Sequence, residues 1–135
     1  MRRKQKKIRG RVLLVEDDEL NLELVQTVLE GAGFEVLSAT VAAAGIELAR
    51  HAAPDVVLMD VQMPGMDGLE ATRVLQADAA TARIPVIAVT AHVKKEDEQR
   101  CLDAGCVLHL SKPVDTRALP DIVERVIAAA RERVP

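Results

Sequence analysis

The fold is decided by residues 55–65, which read Asp55-Val-Val-Leu-Met-Asp-Val-Gln-Met-Pro-Gly65. A short, unbroken apolar run ends in an acid at Asp60, and the turn that follows contains Pro64 and Gly65. Unbroken apolar runs of this length are typical of strands that are buried on both faces, as in parallel sheets. The stretch therefore predicts a central strand with a carboxylate at its carboxyl end.

Similar runs lie on both sides of this stretch, separated by segments with helical periodicity. Further strands are predicted at Arg11–Glu16, Phe34–Ala39, Ile84–Val89 and Val107–Leu110. The first helix is predicted from about Leu20 to Gly31, which closes it near its C-terminal cap, and the second from about Val41 to His51. The third follows the loop that contains Gly68 and runs to about Asp78, the fourth runs from about Val93 to Ala104, and the last has an apolar face from Leu119 to Ala130. Five strand–helix units with right-handed crossovers predict an α/β fold, a doubly wound five-stranded parallel sheet with five helices.

The charge is unevenly distributed along the chain. Residues 1–10 hold six of the 18 Lys and Arg and no acid, and they are read as a basic N-terminal tail. Residues 11–135 form the single predicted domain and carry all 21 Asp and Glu, a net charge of −9. An acidic body disfavours direct DNA binding, because the phosphate backbone rewards clustered cations. The tail is either a solvated terminus or a weak polyanion-binding segment.

Other features of the sequence indicate the cellular compartment in which the protein is expected. No apolar run approaches the roughly 20 residues that a membrane helix needs, and no signal peptide follows the basic start. The protein is therefore expected to be cytoplasmic, without membrane contact. Cys101 and Cys106 lack the spacing of a zinc site and are expected to be reduced thiols.

Polar residues cluster where the predicted strands end. The acids Glu16, Asp17 and Asp18 follow the first strand, and Asp60 ends the third. In the strand order 2-1-3-4-5, the winding direction reverses between strands one and three, and ligands of open parallel sheets bind at that point. Carboxylates that converge there repel one another unless a cation intervenes. A site made only of oxygen ligands favours Mg²⁺.

Two further polar residues are predicted to face the same point. Thr90 ends the fourth strand, and Lys112 follows the fifth. A lysine and a hydroxyl are suited to binding a phosphoryl group. Acids, metal, lysine and hydroxyl together fit phosphoryl transfer, in which an aspartate can be the nucleophile.

These residues lie in four motifs that resemble a response-regulator receiver domain of two-component signalling. The motifs are Val12-Leu-Leu-Val-Glu-Asp-Asp-Glu19, Val57-Leu-Met-Asp-Val-Gln-Met-Pro-Gly65, Val86-Ile-Ala-Val-Thr-Ala91 and Ser111-Lys-Pro113. Their separations, 30 residues from Asp60 to Thr90 and 22 from Thr90 to Lys112, are similar to those of the family. The resemblance covers about residues 11–131 and implies the flavodoxin-like strand order 2-1-3-4-5.

The resemblance implies roles for the acidic residues. Asp60 would accept a phosphoryl group from a histidine kinase or a histidine phosphotransfer protein. Asp17 and Asp60 would bind Mg²⁺ directly, together with the backbone carbonyl of Gln62, while Glu16 would act largely through water. The chain would then be a stand-alone receiver, a monomer or weak dimer. It would not be an enzyme, since only phosphotransfer to itself and its own dephosphorylation are catalysed.

The resemblance also implies a conformational switch. Lys112 would pair with the phosphoryl oxygens, across a cis peptide bond to Pro113. Thr90 would move toward the phosphoryl group, and the residue at 109 would turn with it. That residue is His109 here, where the family commonly has Tyr or Phe. The surface altered by phosphorylation would be the fourth helix, fifth strand and last helix, which would bind the downstream protein.

Several other interpretations are open at this level. The acids after the first strand could simply cap the following helix, and Asp18 could do so even where Glu16 and Asp17 bind the metal. His92 could face the phosphoryl site. An aspartate-nucleophile phosphatase needs a second acid two residues after the nucleophile, where this chain has Gln62. A dinucleotide-binding domain needs a glycine-rich turn after the first strand, where this chain has acids. A pseudo-receiver that only binds a partner usually lacks part of the acid, Thr and Lys set, which is complete here.

Overall fold

The computed structural model describes residues 8–91 and 94–132. Its strands are β1 (Arg11–Val15), β2 (Glu35–Ala39), β3 (Val56–Asp60), β4 (Val86–Thr90) and β5 (Leu108–Ser111). Its helices are α1 (Glu19–Gly31), α2 (Ala42–Ala52), α3 (Gly68–Ala77), α4 (Lys95–Ala104) and α5 (Leu119–Glu132). The five strands form one sheet in the order β2-β1-β3-β4-β5, and every neighbouring pair is parallel. The predicted fold class and strand order are confirmed.

Apolar side chains on both faces of the sheet form two core layers. Along β1, Leu13 and Val15 belong to one layer, and Val12 and Leu14 to the other. The first layer is covered by α2, α3 and α4, the second by α1 and α5. This double burial explains why the strand sequences are continuously apolar rather than alternating.

Helix α1 ends at Gly31, as predicted, but a later glycine takes the left-handed conformation. Gly31 is the last residue of the helix, and the left-handed residue is Gly33, with φ +103°. The Gly33 N–H donates to the Glu30 carbonyl at 3.0 Å, and the Phe34 N–H donates to the Leu29 carbonyl at 3.0 Å. These two bonds form a Schellman motif. Leu29 and Phe34 share one core layer, so burial of that apolar pair determines where the helix ends.

Other boundaries differ from the prediction by one or two residues. Strand β4 begins at Val86, after Pro85, because proline has no N–H to donate to a neighbouring strand. Helix α4 is described from Lys95, and it buries only Cys101 and Ala104. The predicted start of that helix at Val93, His92 and residues 1–7 of the basic tail lie outside the described residues.

Candidate functional site

The carboxyl ends of the central strands bring the predicted site residues to one edge of the sheet. In the strand register, Val15 lies beside Met59, Asp60 beside Val89, and Thr90 beside Ser111. Glu16, Asp60, Thr90 and Lys112 each stand within one residue of these pairs. Residues that are up to 96 positions apart in the sequence therefore converge.

Asp60 is the centre of this edge. Its side chain is buried, with a residue exposure of 1%. The Oδ1 atom accepts a hydrogen bond from the Gln62 backbone N–H at 3.0 Å and lies 3.1 Å from Lys112 Nζ. Lys112 Nζ also lies 3.4 Å from Glu16 Oε1. The lysine therefore bridges the carboxylates that follow β1 and end β3.

The three predicted metal ligands form a cluster. One carboxylate oxygen from each of Glu16, Asp17 and Asp60 lies within 4.8 Å of the others. Glu16 and Asp60 are buried, while Asp17 is exposed and open to solvent. With the carboxylates ionised, the buried Asp60 Oδ2 has no hydrogen-bond donor among the described residues. An all-oxygen cluster with an unpaired buried acceptor fits a hard cation such as Mg²⁺.

The electrostatics of the cluster reflect carboxylates crowded around one lysine. Burial and the adjacent Asp60 raise the pKa of Glu16 to about 7, although Lys112 and the Asp18 backbone N–H oppose the rise. Burial opposes ionisation of Asp60, but hydrogen bonds from Glu16, Gln62 and Lys112 hold its pKa below the ordinary value. Burial likewise opposes the charge on Lys112, yet its two carboxylate neighbours raise its pKa. The three carboxylates of the cluster therefore carry more negative charge than the single lysine beside them neutralises.

Asp18 has the capping role that the sequence left open. It is the N-cap of α1, and its Oδ1 accepts from the backbone N–H of Leu20 at 3.0 Å and of Asn21 at 3.4 Å. The cluster consists of Glu16, Asp17 and Asp60 and does not include it. The acidic run after β1 is thus divided between a candidate cation site and a helix cap.

Gln62 connects two loops beside the site. Its Oε1 accepts from the Ala91 backbone N–H at 3.2 Å, which joins the loop after β3 to the loop after β4. Thr90, the residue before Ala91, is buried with 2% exposure. Gln62, Thr90 and Arg100 line one cavity of about 230 Å³. An amide bound to the backbone, rather than an acid, occupies the position where the phosphatase alternative needs a carboxylate.

A second cavity adjoins the cluster on the other side. It has a volume of about 290 Å³ and lies between α1 and the loop that joins β5 to α5. Leu24 and Val114 form part of its apolar wall, and Lys112 and Asp60 line its polar end. The peptide bond between Lys112 and Pro113 is cis, as the resemblance implies.

His109 contacts a helix that the sequence did not connect with it. Its Nε2 lies 3.1 Å from Glu98 Oε1, and its side chain is 25% exposed. The pair joins β5 to α4. Glu98 was not singled out from the sequence, because one acid among the charges of α4 carries no signal until the packing of the helix is known.

Comparison with known proteins agrees with this geometry. The sequence profile of the family described as "Response regulator receiver domain" matches residues 12–124. The chain belongs to this family. As a receiver domain of two-component signalling, it is similar to the polar-differentiation response regulator DivK of Brucella ovis. The two are 40% identical over 115 residues, which is 85% of this chain and 91% of that protein.

Solved structures of other receivers have the same fold as this receiver domain. The chemotaxis protein CheY4 of Vibrio cholerae is 28% identical, with a TM-score of 0.82 over 87% of this chain and 98% of its own. The receiver domain of the sensor histidine kinase PA1611 from Pseudomonas aeruginosa is 33% identical, with a TM-score of 0.82 over 88% of this chain and 98% of its own. That structure has a magnesium ion coordinated in its active-site cleft.

No helix within residues 8–91 and 94–132 of this receiver domain is both long and apolar enough to cross a bilayer.

Proposed function

We propose that this receiver domain accepts a phosphoryl group on Asp60 from a histidine kinase or a histidine phosphotransfer protein, in a Mg²⁺-dependent reaction. The observation that carries the proposal is the state of the Asp60 carboxylate. Oδ1 is held by Lys112 and the Gln62 N–H, while the buried Oδ2, with the carboxylates ionised, has no donor among the described residues. One oxygen is thereby oriented and the other is available to react.

The chemistry follows from this arrangement. Oδ2 attacks the phosphorus of a phosphohistidine, a P–O bond forms, and the P–N bond breaks with its electron pair returning to the imidazole. The product is an acyl phosphate on Asp60, and attack by water later returns the carboxylate and inorganic phosphate. Lys112, already beside Oδ1, would pair with the phosphoryl oxygens. The hydroxyl of Thr90 would donate to them from the end of β4.

Glu16, Asp17, Asp60 and the backbone carbonyl of Gln62 would hold Mg²⁺. The shared position of the three carboxylates within 4.8 Å supports this ligand set. When bound, Mg²⁺ neutralises charge on the carboxylate and phosphoryl oxygens, which is the main requirement of phosphoryl transfer. The exposed Asp17 leaves the cluster accessible to the ion from solvent.

The signal would leave the domain through α4, β5 and α5. Movement of Thr90 toward the phosphoryl group would be followed by His109, whose contact with Glu98 connects β5 to α4. Leu102 on α4 and Val107, the residue before β5, are exposed apolar side chains, and the surface of α4, β5 and α5 would bind a downstream protein. The charge of −9 over residues 11–135 supports a protein rather than DNA as that partner.

We further propose that the domain is a cytoplasmic monomer or weak dimer and that it is not an enzyme acting on a separate substrate. Two free, buried cysteines are consistent with a reducing compartment. The acidic cluster is arranged around the domain's own Asp60, which favours catalysis of its own phosphorylation and dephosphorylation alone.

The test is intact-mass spectrometry after incubation with acetyl phosphate, or with a panel of phosphorylated histidine kinases and phosphotransfer proteins. We expect one phosphoryl group to be added in Mg²⁺ and none in EDTA or in Asp60→Asn. The matched control is Asp18→Asn, which alters a neighbouring acid but preserves the helix cap. It should be phosphorylated normally. Undiminished, Mg²⁺-independent labelling of Asp60→Asn would overturn the assignment.

A further inference from the structure

Gly68, the first residue of α3, packs directly against the backbone of Asp60. A Cβ atom at this position would overlap the Asp60 carbonyl oxygen and would lie 2.9 Å from the Asp60 carbonyl carbon and from Met59 Cγ. The obstacle is backbone, which is unable to move aside as the end of a flexible side chain does. Helix α3 thus begins on the main chain of the residue proposed to be phosphorylated.

Conformational freedom does not explain this glycine. Its φ lies outside the left-handed region, unlike those of Gly33, Gly65 and Gly105. Glycine is also a poor helix former. The requirement at position 68 is therefore close approach of α3 to β3.

The helix start is connected to the Asp60 side chain by a short chain of hydrogen bonds. The Gly68 N–H donates to the Val61 carbonyl at 3.1 Å. The next residue, Gln62, donates its N–H to Asp60 Oδ1 at 3.0 Å. Within the first turn of α3, the buried Thr72 Oγ1 donates to the Gly68 carbonyl at 2.7 Å. Displacement of α3 from β3 would therefore move the backbone that orients the carboxylate.

We propose that Gly68 is a positioning residue for the reaction at Asp60, an inference that rests on the function proposed above. By omitting a side chain, it lets α3 hold Val61 and Gln62 where the Gln62 N–H fixes Oδ1. Oδ2 is thereby left facing the cation and the phosphodonor. Gly68 itself touches neither of them.

The test compares Gly68→Ala with Gly33→Ala. Gly33 has φ +103° and lies near the amino end of β2, whereas Asp60 lies at the carboxyl end of β3. The strands are parallel, so the two residues are at opposite ends of the strands. An alanine there strains the backbone and lowers stability without touching the site. Both variants are studied at a temperature where circular dichroism shows them folded. Phosphorylation by acetyl phosphate is followed by intact mass. Mg²⁺ affinity is followed by NMR titration, because the chain has no Trp or Tyr for fluorescence.

We expect Gly68→Ala to be phosphorylated about 10- to 100-fold more slowly and to bind Mg²⁺ more weakly, since displacements of about 1 Å reduce rates by this order. Gly33→Ala should match the wild type in both measurements. A folded Gly68→Ala with wild-type rate and affinity would refute the inference, as would an equal loss in Gly33→Ala. If wild type itself is not phosphorylated on Asp60, it is the proposed function that fails.

The wild-type protein supplies a measurement that holds even if Gly68→Ala does not fold. Gly68 is not a proposed metal ligand, so its amide signal should respond to Mg²⁺ through the Asp60 backbone, against which it packs, and through Val61 and Gln62. We expect the signal to shift on Mg²⁺ addition in wild type and not in Asp60→Asn. An unchanged Gly68 signal in saturating Mg²⁺ would show that α3 is not coupled to the site.

Discussion

His109 Nε2 on β5 lies 3.1 Å from Glu98 Oε1 on α4. The contact is an ion pair only when the imidazole is protonated. It joins two of the three elements through which we propose that the signal leaves the domain. The strength of this connection is therefore expected to depend on pH, which a tyrosine at the same position would not provide.

Activation should accordingly be harder at acidic pH in the wild type. A protonated imidazole would make the contact with Glu98 an ion pair that holds β5 to α4, so activation is compared at about pH 7.5 and at about pH 5.5. We expect smaller beryllofluoride-induced NMR shifts across residues 94–125 at the lower pH. In His109→Tyr, the shifts should be similar at both values. Equal pH dependence in the two proteins would exclude His109 as the sensor, and absence of shifts in both would exclude the switch.

Substitutions of Asp17 and of Asp18 should change different properties, Mg²⁺ affinity in the first case and the free energy of unfolding in the second. Asp17→Ala removes a cluster carboxylate and should weaken Mg²⁺ binding strongly with little effect on the free energy of unfolding. Asp18→Ala removes the N-cap of α1 and should lower that free energy by about 1 kcal/mol, with a much smaller effect on Mg²⁺. An NMR titration and urea denaturation measure the two quantities. Equal effects on Mg²⁺ binding would show that the ligands are assigned wrongly.

Without Mg²⁺, the stability of the domain should fall as the pH rises from about 5 to about 7.5. The pKa of Glu16 is about 7 in the folded state, against 4.5 for the ordinary carboxyl. The folded state thus holds a proton that the unfolded state has released, and stability declines with pH in this window, by about 1.4 kcal/mol per unit of pKa difference. The lowered pKa of Asp60 affects the free energy of unfolding only at more acidic pH. Urea denaturation in EDTA measures the slope, and Glu16→Gln should flatten it. A slope that Glu16→Gln leaves unchanged would contradict the assignment.

Both cysteines should be unreactive in the native protein. Burial raises the pKa of Cys106 to about 11 and also raises that of Cys101. Few thiolates then exist at about pH 8, and neither sulfur is accessible. Ellman's reagent should label neither thiol in buffer and both in urea. Rapid labelling of the folded protein would show that the layer beneath α4 opens readily.

The sequence by itself determined the fold class and which polar residues lie together at the candidate site, because both depend on local patterns. Unbroken apolar runs require burial on two faces, and parallel strands carry the residues that follow them to one edge. Glu16, Asp60, Thr90 and Lys112 could therefore be assigned to that edge from their places at strand ends alone.

Only the tertiary structure decided which atoms meet. Gly33, rather than Gly31, takes the left-handed conformation after α1 because Phe34 is buried against Leu29. The partner of His109 likewise depends on how α4 packs on β5. The closeness of Gly68 to the Asp60 carbonyl has the same origin. Each is a contact between segments that packing brings together, at distances of a few ångströms that residue spacing along the chain does not encode.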